Sequence, residues 1–253
     1  MKKIIVFIFI CIFSVIFAFS GYKIFSILKD NKQADNAYTD IAENAIIEKM
    51  QEDSESSDEA LVNKEEFTLF DIDFEKLKKQ NKDTIGWIYL PDSPINYPVL
   101  QTDNNENYLE RMFNGNYNRA GSIFADYRND FITAARNFII YGHNMKNGTM
   151  FAGLKKYKSQ SYYEANPVIY YLTPENKYKI NLIAGFTTKY NSEIFDFGNS
   201  QEEFDTFVNN SINSSTFKSE KSYKSGDTIV TLSTCIGSDK SDRFIILGIL
   251  EEY

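Results

Sequence analysis

The chain has 253 residues, 43% hydrophobic and 15% aromatic, and a net charge of −8. That length buries a substantial core in one good-sized domain with appendages, which excludes a disordered chain. The acidic balance, with no basic patch, argues against a nucleic-acid partner.

The N-terminus sets the location. Lys2 and Lys3 precede Ile4 through Tyr22, an uncharged run of 19 residues, and about 20 apolar residues are enough for one helix to cross a bilayer. A cleaved signal peptide competes with this reading, with Ala18-Phe19-Ser20 before Gly21 as its cleavage site. The apolar stretch is long for that role, and Ile24, Phe25, Ile27 and Leu28 continue it, so an uncleaved single-pass anchor is expected. The leading lysine pair puts the N-terminus in the cytoplasm and the rest of the chain outside the cell membrane.

Beyond this anchor (residues 1–22), a membrane-proximal segment (23–65) contains helical spacing over Ala34–Met50, where Tyr38, Ile41, Ala42, Ala45 and Ile46 share one side. Gln51–Glu59 is acidic and serine-rich with no apolar residue, and it reads as a flexible loop. The remaining segment (66–253) opens on a short helix over Phe74–Gln80 with Asp73 as its N-cap. Trp87–Leu90 then begins a region of short strands. Asn137–Tyr141 is a buried run ending at Gly142-His143, and Val168–Leu172 and Lys177–Phe186 flank a Thr173–Asn176 turn. Ser200 and Glu203 form a capping box ahead of a helix with Phe204, Phe207, Val208 and Ile212 on its apolar face. Thr228–Leu232 and Phe244–Leu250 read as the last two strands. The pattern predicts a mainly β protein: a closed antiparallel barrel with helices at its N-terminus and one helix inserted late.

Two cysteines and one histidine narrow the chemistry. Cys11 lies in the apolar run, so Cys235 has no disulfide partner within the extracytoplasmic part. Cys235 ends the strand Thr231-Leu232-Ser233-Thr234, and Arg243 opens the next one. A thiol nucleophile, the single imidazole of His143 and a fixed guanidinium are the parts of acyl transfer through a thioester. Each has a structural alternative: a small buried thiol, a structural histidine, and an arginine paired on the surface with Asp239 or Asp242.

The ordered set His143, Thr231-Leu232-Ser233-Thr234-Cys235 and Arg243 resembles the sortases, and among them class B. Asn96–Gln101, Gly121–Asn129, Tyr141–Met145 and Thr149–Phe151 resemble class B segments as well, as does the inserted helix at Ser200. The likeness runs from about Phe70 to the C-terminus. Two departures stand out: Ile236 follows the cysteine where some relatives carry an acidic residue, and the stretch to Asp242 is short. The lack of a C-terminal membrane segment is unlike the pilus-polymerising class.

The resemblance implies a sortase catalytic domain over 66–253 of a membrane-anchored cysteine transpeptidase of Gram-positive bacteria. It implies cleavage of a C-terminal sorting signal, with an NPQTN-like motif, and transfer of the new carboxyl end to a peptidoglycan amine. Cys235 would be the nucleophile, His143 the acid and base, and Arg243 the stabiliser of substrate backbone or oxyanion. Asn96, Leu100, Ser233 and Thr234 would lie near the substrate, and no metal or cofactor is implied. An extracytoplasmic cysteine peptidase or amidase acting on wall peptides is the alternative enzyme, and a non-enzymatic wall-binding module the alternative outside enzymes.

Overall fold

The computed structural model describes residues 2–47, 69–130, 136–189, 200–235 and 242–253. Its first element, α1 (Lys2–Ala45), is a single helix in which the apolar run and the membrane-proximal segment join without a break. The side chains of the apolar run are exposed, and the helix is long and apolar enough to cross a membrane. Farther along, one side of α1 packs on the body of the protein. Ala34, Tyr38 and Ala45 are buried, and Tyr38 makes an edge-on contact with Tyr97 at 5.3 Å between ring centroids. The Tyr38 hydroxyl donates to the Gly121 carbonyl at 2.6 Å.

The helix stops earlier than its spacing suggests. Ile46–Ile47 forms β1, paired antiparallel with β2 (Asp71–Ile72). Two consecutive β-branched residues that find a strand partner account for the switch. Met50 and the acidic Gln51–Glu59 loop lie outside the described residues. Helix α2 (Phe74–Gln80) follows with Asp73 as N-cap, its carboxylate accepting from Lys76 N at 2.8 Å.

The remaining strands are β3 (Thr84–Tyr89), β4 (Asn96–Leu100), β5 (Ile123–Ala125), β6 (Asn137–Tyr141), β7 (Val168–Leu172), β8 (Lys177–Lys189), β9 (Ile229–Cys235) and β10 (Asp242–Glu252). They close a barrel in the order β10-β8-β7-β3-β4-β5-β6-β9. A purely antiparallel barrel was the expectation, and the structure corrects it: β4 runs parallel to β5, and β6 runs parallel to β9. Parallel neighbours need a long crossover rather than a tight turn, and local alternation carries no sign of which distant strands become neighbours. Between β6 and β7 lie a 3₁₀ helix (Phe151–Lys158) and α3 (Gln160–Ala165), both too short to leave a readable period.

Strand β10 shows how the barrel is packed. Phe244 and Ile246 join the main core with Phe138, Ile140, Val230 and Leu232. The intervening Ile245 and Leu247 join a second core under α4 (Gln201–Asn213), with Phe204 and Val208. Both faces of the strand are covered, so its sequence reads as a continuous apolar run rather than an alternation. Burying a side chain such as Val208 contributes roughly 1.5–3 kcal/mol. The capping box of α4 is present, with Ser200 Oγ accepting from Glu203 N at 3.2 Å and Ser200 N donating to Glu203 Oε2 at 2.9 Å.

Candidate active site

Three adjacent strands bring the sequence-predicted triad together. In the β9–β10 ladder Arg243 stands directly opposite Cys235. On the other side of β9, the parallel strand β6 aligns Tyr141 with Ser233, and Gly142 N donates to the Ser233 carbonyl at 3.2 Å. His143 therefore leaves β6 at the same end of the barrel at which Cys235 ends β9, each two positions beyond the Tyr141–Ser233 pair. The parallel pairing produces this arrangement, because it puts the C-terminal ends of β6 and β9 side by side.

The half-buried His143 ring is held by backbone. Its Nε2 donates to the Leu109 carbonyl at 2.7 Å, and because a carbonyl only accepts, that bond puts a proton on Nε2. The His143 carbonyl accepts from Phe151 N at 2.9 Å, which fixes the main chain on the far side of the residue. Two glycines make this packing possible. A Cβ at Gly142 would lie 2.5 Å from Ile123 Cδ1 and 2.6 Å from Phe151 Cγ. Gly121 has φ of +60°, and a Cβ there would lie 2.4 Å from the same Leu109 oxygen that receives the histidine.

A groove of about 650 Å³ runs along these elements, bordered by His143, Ser233, Thr234 and Arg243 together with Asn105, Leu109, Phe124, Arg128 and Tyr141. The Ser233 and Thr234 hydroxyls are buried and have no hydrogen-bond partner among the described residues. Leaving a buried hydroxyl unpaired costs about 1–3 kcal/mol, which a bound polar group can recover. Arg243 is half-buried, and its Nη1 donates to the Asp242 carbonyl at 3.2 Å. The Asp242 carboxylate itself pairs with Lys189.

The other two expected contact residues are elsewhere. Leu100 is fully buried in the main core. Asn96 Oδ1 accepts from Trp87 Nε1 at 2.7 Å, and the residue borders a separate cavity of about 770 Å³ between α1 and the barrel. Both belong to β4, so the structure places Leu100 in the barrel core and Asn96 beside α1, outside the lining of the groove at His143. Asn105 and Leu109 border it instead. The Leu109 contact to His143 goes through a backbone oxygen, which has no signature in a sequence.

Asp126 organises the groove wall. Its buried carboxylate accepts from Arg128 N and Nε, each at 2.9 Å, through Oδ1. Oδ2 accepts from Arg128 Nη2 at 2.9 Å, the Tyr141 hydroxyl at 2.7 Å and Asn105 Nδ2 at 2.8 Å. Burial alone would raise the Asp126 pKa, but these donors, the Arg128 side chain foremost, outweigh it and hold the carboxyl below its ordinary value. A depressed pKa stabilises the fold above the unfolded-state value near pH 4, and that contribution is lost as pH falls through the lower folded-state value. Asp126→Ala strands several donors and is expected to lower stability by about 3 kcal/mol at neutral pH. Denaturant titrations should show the gap to wild type narrowing below about pH 4; a gap that does not change with pH would refute this account.

With this geometry in hand, comparison with known proteins identifies the family. A model of the sortase domain matches residues 88–251. Sortase B of Staphylococcus aureus is 37% identical over 179 residues, covering 69% of this chain and 73% of the relative. Among solved structures, sortase B from B. anthracis in complex with AAEK1 superposes with a TM-score of 0.73 at 32% identity, covering 90% of this chain and all of that one. A Staphylococcus aureus sortase B–substrate complex superposes with a TM-score of 0.66 at 33% identity, covering 71% of this chain and 84% of that one. The fold is thus shared with solved sortase B structures over most of this chain, and the chain belongs to the sortase family, among the class B cysteine transpeptidases.

Proposed function

We propose that this chain is a single-pass membrane protein with an extracytoplasmic catalytic domain, and that it cleaves a C-terminal sorting signal with an NPQTN-like motif. Cys235 attacks the carbonyl carbon of the motif threonine as a thiolate. The tetrahedral intermediate collapses by breaking the C–N bond, with His143 giving a proton to the departing amine, and leaves a thioester on Cys235. A peptidoglycan amine then attacks the thioester. His143 takes up its proton, the thiolate leaves, and a new amide bond joins the protein to the wall. Arg243 donates hydrogen bonds to the substrate backbone or the oxyanion. Ser233 and Thr234 offer unpaired hydroxyls to the bound peptide.

The observation that carries this reading is the ladder position of Cys235 opposite Arg243, with His143 leaving the neighbouring parallel strand at the same end of one groove. The anchor rests on the exposed apolar side chains of α1. The test is to incubate the full chain in detergent with a panel of sorting-motif peptides, with and without a glycine-based amine, and to identify products by mass spectrometry. An NPQTN-like peptide should be cut after threonine, and the amine adduct should outcompete the hydrolysis product. Equal cleavage of scrambled peptides would exclude motif reading, and hydrolysis unaffected by the amine would point to a peptidase.

A further inference from the structure

We propose that the surface carrying Tyr117 and Arg119 rests in the headgroup layer of the bilayer and binds anionic phospholipid, so that the barrel is seated on the membrane rather than held off on a tether. The inference rests on the reading of α1 as a membrane span.

Exposed apolar side chains continue past Tyr22 through Ile24 and Phe25 to Leu28. From Ile4 to Leu28 the helix rises about 36 Å at 1.5 Å per residue. The hydrocarbon core is only about 30 Å thick, so the outer end of this stretch lies in the interface. The barrel takes hold of the helix almost at once: buried Asn118 donates through Nδ2 to the Asp30 carbonyl at 2.9 Å. Asp30 is two residues beyond Leu28, about 3 Å along the axis. Even for a span that ended at Tyr22, Asp30 would stand only about 12 Å farther out. The helix is continuous through this point, and Ala34 and Tyr38 are buried just beyond, so no spacer separates the barrel from the lipid.

The residues on either side of Asn118 suit that position. Tyr117 is 67% exposed, and Arg119 is exposed. Tyrosine is enriched at the membrane interface because its ring is apolar at one end and wet at the other. Tyr117 is bridged to Arg111, and Lys29 and Lys32 emerge from α1 beside the Asp30 contact. Two acidic residues, Asp30 and Glu110, share the neighbourhood. In a chain of net charge −8, the segments that meet at the Asn118–Asp30 contact carry Arg111, Arg119, Lys29 and Lys32 against Asp30 and Glu110, a local excess of positive charge that favours anionic headgroups. The seating also reaches the site, because Leu109, whose carbonyl holds His143, is two residues before Arg111.

The test uses the full chain carrying Tyr117→Trp, reconstituted in phosphatidylcholine vesicles with and without phosphatidylglycerol, and lipid brominated near the acyl carbonyl as quencher. The native Trp87 is fully buried and gives a constant background in the wild type. Most of the emission added by Tyr117→Trp should be quenched by brominated lipid. Tyr253→Trp, beside Lys177 and hence near β2 and the far end of α1, should be quenched little. Adding Arg119→Glu to Tyr117→Trp should reduce quenching in vesicles containing phosphatidylglycerol and leave it unchanged in pure phosphatidylcholine. Insensitivity to both changes would overturn anionic recognition. If the Tyr117→Trp chain resists alkaline carbonate extraction while its added emission stays unquenched, the seating is overturned and the anchor is left intact. Release by carbonate would remove the anchor reading and this inference together.

Discussion

Cys235→Ala is expected to reduce cleavage of a sorting-motif peptide to background while the fold persists. The reaction depends on a covalent bond to sulfur, and alanine has no atom with which to form it. In a triad hydrolase, removing the nucleophile costs on the order of 10⁶ in kcat, and a loss of that size falls below detection for most assays. Cys235→Ser should be nearly as inactive, because an alcohol gives far less anion than a thiol at the same pH. Cys11, exposed on the apolar part of α1, supplies the control: Cys11→Ala removes the chain's other thiol and should leave turnover unchanged. Intact-mass measurement during turnover should find the acyl adduct on wild type and Cys11→Ala and not on Cys235→Ala. Appreciable turnover by Cys235→Ala, with peptide cut at the same bond, would rule out the thioester route.

What could be read in advance divides along a physical line. Signals that act over a few residues were legible: the Asp73 cap, the Ser200–Glu203 capping box, the Thr173–Asn176 turn and the runs that became β6, β7 and β10. The candidate chemistry was easy to list, since Cys235 is the one thiol outside the apolar run and His143 the one imidazole. Features that depend on contacts between distant segments were not. The parallel pairing of β6 with β9, which aligns the histidine with the cysteine, joins segments separated by the whole of β7, β8 and α4. The Leu109 carbonyl that orients His143 is main chain, identical in kind at every position. The family resemblance points to Asn96 and Leu100 as substrate neighbours, while side-chain packing sets Asn96 against Trp87 and Leu100 in the core, contacts that no local pattern announces. Asp126 stood in a segment resembling class B without any sign that its carboxylate would gather Arg128, Tyr141 and Asn105 into one wall.

Arg243→Lys is expected to lower kcat by roughly 10²–10³, the scale on which losing one oxyanion donor acts, although the positive charge is kept. Charge alone is a poor account of this position. Strand β10 lies between β9 and β8, so the backbone of Arg243 is fixed by Cys235 on one side and Thr188 on the other. From that fixed point a guanidinium presents a planar fork that can hold two oxygens at once, whereas an ammonium is a point charge on a flexible stem. The competing reading is a surface arginine paired with Asp239, which lies outside the described residues, or with Asp242. The Asp242 carboxylate is engaged by Lys189, and Arg243 meets that residue through its carbonyl, while the arginine borders the groove. Steady-state kinetics on a sorting-motif peptide separate the possibilities. A fall confined to kcat means that the contact strengthens in the transition state, and a rise confined to KM means that the arginine only holds the peptide. Near-wild-type values for both constants in Arg243→Lys would show that charge suffices and that the forked contact to substrate does not exist.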